Sequence, residues 1–101
     1  MPKDRRALLV FFTSRSSGPA RRMESLLAHI ARKERDSLQI KRVDVDERHD
    51  LAARFRVSEV PTLALVKGKR VVARLDGRST APKIESLLEA HLEADEAAVV
   101  A

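Results

Sequence analysis

Ser14, Ser16 and Ser17 crowd one turn-forming segment, Thr13-Ser-Arg-Ser-Ser-Gly-Pro19, and the 101 residues contain no cysteine. A serine hydroxyl becomes a nucleophile only beside a base that takes its proton. The nearest histidine in sequence, His29, lies twelve positions after Ser17, roughly 18 Å along a helix. His49 and His91 belong to other parts of the chain. Serine catalysis is therefore not expected, and Ser16 and Ser17 read as loop and helix-cap residues. The three histidines show no paired spacing on one helix face, and no cysteine is available as a further ligand. Asp44, Asp46, Glu47 and Asp50 form an acidic cluster that lacks the glycine of a calcium loop. Asp46 and Glu47 are expected to favour the start of a short helix through the helix dipole. Neither a metal nor a cofactor is expected.

The remaining candidates are charges. Twenty Lys and Arg against fifteen Asp and Glu give a net +5, unevenly spread. Residues 1–42 carry eleven basic and four acidic groups, whereas residues 79–101 carry one and five. Such a balance suits an acidic partner, an anionic surface or nucleic acid, and says nothing about fold. Arg15, Arg21 and Arg22 gather where Ser17, Gly18 and Pro19 begin a helix, an anion site in outline. The bland alternative is a solvated helix face with loose pairing to Glu24 or Ser25. Single-strand nucleic-acid binding adds aromatic stacking platforms. The only aromatic residues, Phe11, Phe12 and Phe55, all fall in apolar patterns, so only feeble, salt-sensitive and sequence-blind binding is compatible with them. Nucleic acid is not the expected partner.

These groups need a scaffold, and hydrophobic periodicity supplies one. Ala7–Phe12 is a continuous apolar run that reads as a central strand. It is far short of the roughly 18 residues a membrane span needs, which predicts a soluble, cytoplasmic protein. Met23, Leu26, Leu27, Ile30 and Ala31 form one helical stripe. Leu38–Val45 is a second strand whose burial switches faces: Leu38 and Ile40 share one phase, Val43 and Val45 the other. His49–Phe55 makes a short helix. Leu63–Val66 and Val71–Leu75 are strands joined at Lys67-Gly68-Lys69-Arg70, a Gly-X hairpin of type II′. Ser79 or Thr80 caps a last helix with Ile84, Leu87, Leu88 and Leu92 inward. The order β-α-β-α-β-β-α predicts an α/β domain, a four-stranded mixed sheet with helices on both faces. One domain is expected over 1–101, with its core at about 7–92 and a flexible acidic tail at 93–101.

In this order and spacing the chain resembles the thioredoxin superfamily from about Ala7 to Leu92. Ser16-Ser17-Gly18-Pro19-Ala20 stands where family members carry Trp-Cys-Gly-Pro-Cys. Val60-Pro61-Thr62 is similar to the family's cis-proline loop, Val43-Asp-Val-Asp46 to the end of its second strand, and Gly77 to its late glycine. The resemblance implies that Ser17 and Ala20 occupy the positions of the two reactive cysteines. It also places Phe11 at the family's buried acid and Arg42 at that acid's basic neighbour. Disulfide exchange needs a thiolate and a resolving thiol, and this sequence has neither. The implied function is a redox-inactive binding module. Arg15, Ser16, Ser17, Gly18, Pro19, Arg21, Arg22, Val60, Pro61 and Thr62 would line its groove, and the partner would be an extended or acidic peptide or an anionic group. The alternatives are an oxidoreductase degenerate or disarmed by Cys replacement at positions 17 and 20, and a sequence-independent nucleic-acid binder.

Overall fold

The computed structural model describes the backbone of residues 6–100 and the side chains of residues 6–92. The expected flexible tail at 93–101 falls outside the fully described residues. The elements are β1 (Ala7–Thr13), α1 (Gly18–Lys33), β2 (Leu38–Asp44), α2 (His49–Arg54), β3 (Thr62–Lys67), β4 (Arg70–Asp76) and α3 (Ala81–Val100). The sheet order is β2-β1-β3-β4, with β1 parallel to β2 and antiparallel to β3. A helix can cross between parallel strands but a tight turn cannot, so α1 is the β1–β2 connection.

Alternation along β1 sorts the core into two layers. Ala7, Leu9 and Phe11 pack with Met23, Leu27 and Ile30 of α1 and with Ile84 and Leu88 of α3. Val10 and Phe12 pack on the other face against Leu51, Phe55 and Val57, in and just after α2. The phase change in β2 has the same cause: Leu38 and Ile40 join the first layer, Val43 and Val45 the second. Helices therefore cover both faces of the sheet.

The expected hairpin turn and helix cap are met. Gly68 has φ +65° in the β3–β4 turn, and Arg56 is the only described non-glycine residue with positive φ, so Lys69 has the negative φ of a type II′ hairpin. Thr80 Oγ1 accepts from Lys83 N–H at 3.4 Å, which makes Thr80 the cap of α3. The acidic turn precedes α2 without capping it, and Asp50 is the acid in the first turn of the helix. The N-cap is Arg48, without a side-chain cap bond, because Asp44 accepts from Asp46 N–H at 2.8 Å and Asp46 itself is held by Ser14.

Candidate functional site

Phe12 pairs with Thr62, so the last residues of β1 and the first of β3 end side by side. That register brings the Ser14–Pro19 loop and the Val60-Pro61 loop to the same end of the sheet. No side-chain hydrogen bond joins Ser17 to Val60, and the register alone associates the loops.

Ser17 is the N-cap of α1. Its backbone is extended (φ −95°, ψ 107°), and its Oγ accepts from Ala20 N–H at 3.1 Å. The hydroxyl thus satisfies one of the helix's unpaired amides. No histidine bonds to it, and Ala20 is wholly buried beneath it. Gly18 and Pro19 open the helix, Pro19 being suited to a first turn where its missing N–H costs nothing. Ser16 bonds back to Ser14, through its N–H at 3.3 Å and its hydroxyl at 3.1 Å.

Ser14 is not among the groove residues expected from the sequence. It is buried, and its hydroxyl donates to Asp46 Oδ2 at 2.7 Å, which ties the loop to the β2–α2 turn. Only a contact across 32 positions reveals this, so no local pattern marks it. Next to it, the fully buried Thr13 Oγ1 has no hydrogen-bond partner.

Ser14, Arg15, Arg21, Glu24 and Arg42 line a cavity of about 340 Å³ beside the loop. Arg22 does not line it, since consecutive helical residues point in different directions. Arg42 arrives instead from β2, with its Nε 3.4 Å from Glu24 Oε2. The guanidinium groups of Arg15 and Arg21 have no ion pair among the described residues. No acid stands in the first turn of α1.

In the second loop the Val60–Pro61 peptide bond is cis. Pro61 O accepts from Gly77 N–H at 2.8 Å, and Gly77 has φ +82°, a conformation glycine adopts without strain. Thr62 is fully buried, and its hydroxyl donates to Glu59 O at 2.7 Å. Its side chain is therefore spent on the fold. Val60 is half-buried against the first core layer, and its main chain takes part in no hydrogen bond among the described residues.

Phe11 and Phe12 are buried, and the half-buried Phe55 packs its ring 5.2 Å from that of Phe12, so no described aromatic residue is fully exposed. No three His, Asp or Glu side chains among the described residues converge to hold a metal ion. None of the described helices is long and apolar enough to cross a membrane.

The thioredoxin family model matches residues 1–90. The chain belongs to the thioredoxin family. It is 32% identical over 81 residues to a thioredoxin from Alicyclobacillus acidocaldarius, covering 80% of this chain and 77% of that protein. It is 33% identical over 70 residues to a bifunctional thioredoxin reductase/thioredoxin from Mycobacterium leprae, of whose length it spans 15%. The crystal structure of the germline-specific thioredoxin Deadhead from Drosophila melanogaster superposes with a TM-score of 0.82 at 25% identity, covering 87% of this chain and 83% of that one. Thioredoxin-type exchange begins with attack by a thiolate on a disulfide sulfur. In this member the helix start carries Ser17 and Ala20, and these 101 residues hold no thiol.

Proposed function

We propose that this domain is a redox-inactive binding module that holds an extended peptide along Val60-Pro61, with Ser16–Pro19 as the facing wall. The free main chain of Val60 carries the reading: one N–H and one C=O stand unpaired at the sheet end where the two loops meet. An extended segment supplies the complementary pair by strand-like addition and needs no thiol. The unpaired Arg15 and Arg21 favour an acidic segment.

The test is a titration of the 15N-labelled protein with a permanently unfolded, carboxymethylated polypeptide. The amides of Val60 and Ser17 are expected to shift while those of Val71 and Val72 on the outer strand stay put. Shifts that spare Val60 end the reading.

One observation favours a second reading, a disarmed oxidoreductase. Ser17 Oγ lies 3.1 Å from the Ala20 amide, a place where a thiolate would be stabilised by the helix start.

A further inference from the structure

Arg21, Glu24, Leu27, Ala28 and Ala31 fall at i, i+3, i+6, i+7 and i+10, so they form one stripe on α1. The stripe faces β2, where Ile40 and Arg42 share a face two residues apart. Small side chains at 28 and 31 leave the space between helix and strand unfilled. The result is a second cavity of about 270 Å³ over Phe11, Leu27 and Ile40. It shares Glu24 and Arg42 with the cationic cavity of about 340 Å³ at Arg15 and Arg21. The two form one cleft with an apolar lobe and a basic lobe, and the Glu24–Arg42 pair stands at the join.

The charges in this cleft do not balance. Three guanidinium groups meet one carboxylate, and that carboxylate is already engaged by Arg42 at 3.4 Å. Apolar walls with a few convergent polar groups are the usual make-up of a small-molecule site. Guanidinium groups pair with carboxylate or phosphate through parallel hydrogen bonds.

We propose that the α1–β2 cleft binds a small aliphatic anion, a carboxylate or phosphate headgroup on a short hydrocarbon chain. Arg15 and Arg21 hold the headgroup, and Ala28, Ala31 and Ile40 take the chain above the buried Phe11 and Leu27. The apolar lobe is separate from the Val60 main chain, whereas Arg15 and Arg21 are shared with the peptide reading, whose deciding contact is Val60.

Octanoate, octyl phosphate, octanol and inorganic phosphate are titrated separately into the full chain carrying 13C-labelled methyl groups. Octanoate or octyl phosphate is expected to shift the Leu27, Ala28, Ala31 and Ile40 methyls saturably, at least tenfold more tightly than octanol or inorganic phosphate. Arg21→Glu should weaken that binding about tenfold. Ala28→Phe, a change at an exposed position that fills the apolar lobe, should abolish it while the unliganded spectrum keeps its dispersion. Absence of saturable binding by both amphiphiles overturns the proposal. So does an affinity untouched by Arg21→Glu, or a response confined to methyls outside the cleft. A protein that fails the peptide titration at Val60 but binds octanoate here separates the two readings.

Discussion

Phe11 and Arg42 are partners in the parallel register of β1 and β2, side by side on the face that α1 covers. Phe11 is only 2% exposed and belongs to the core layer, whereas the Arg42 head reaches out to Glu24. The resemblance to thioredoxins puts a carboxylic acid at position 11, where it assists the second cysteine. A phenyl ring there fills volume and moves no proton.

The pair of substitutions Ser17→Cys and Ala20→Cys is therefore expected to yield a disulfide that forms readily and turns over poorly. Position 17 regains stabilisation from the helix amide, but position 20 is buried with no acid beside it. Insulin-reduction rates of the double variant, with and without Phe11→Asp, check this. The added acid should raise the rate per folded molecule while lowering stability by at least about 3 kcal/mol, the lower range for losing a buried phenyl ring. A double variant as fast as an ordinary thioredoxin would show that Phe11 is no obstacle.

Ser17→Ala removes the cap acceptor for Ala20 N–H and should cost about 1 kcal/mol. For a domain of this size that lowers the melting temperature by about 4–8 °C. Ser17→Gly should cost only a few tenths of a kcal/mol. Thermal unfolding of the two variants decides whether Ser17 is chiefly a cap.

Arg56 occupies the left-handed position after α2, at φ 54°. The bonds Arg56 N–H to Ala53 O (3.1 Å) and Val57 N–H to Ala52 O (2.9 Å) form a Schellman motif, where glycine is the usual occupant. Left-handed backbone costs a side-chain-bearing residue about 1–2 kcal/mol, and glycine's greater unfolded-state entropy takes back about half. Arg56→Gly should thus stabilise by about 0.5–1 kcal/mol, read as a higher urea midpoint at unchanged slope.

Asp50 is held by two hydrogen bonds from Arg48, Nε to Oδ1 at 3.1 Å and Nη2 to Oδ2 at 2.9 Å. These bonds lower its pKa from 3.8 to about 2. A folded-state pKa below the unfolded one makes the pair's contribution complete above about pH 4 and lost as the pH falls towards 2. Both groups are exposed, so the effect on stability is small and screened by salt. Carboxyl NMR titration should give Asp50 a midpoint near 2, returning towards 3.8 in Arg48→Ala.

Much of the fold is written in periodicity. The change of phase between Leu38/Ile40 and Val43/Val45 already states that β2 contributes to two layers, and both layers exist. The hairpin at Gly68 and the cap at Thr80 are likewise local chemistry. The site was less legible because its contacts are not local. Arg21 and Arg22 look equivalent in sequence, and only the helix phase separates them. Arg42 reaches the cationic cavity through strand register, and Ser14 meets Asp46 across 32 positions. Thr62 looked like groove lining, yet the carbonyl of Glu59 uses its hydroxyl.

The two outermost strands, β2 and β4, each leave one side of the sheet unpaired among the described residues. β4 exposes Val71 and Val72, an adhesive combination on an open rim. Lys41 on one rim and Arg70 on the other are exposed charges of the same sign, whereas Arg42 and Arg74 are paired with Glu24 and Asp76. Edge-to-edge pairing of two such rims would bring these like charges together, a repulsion that weakens as counterions shorten the Debye length.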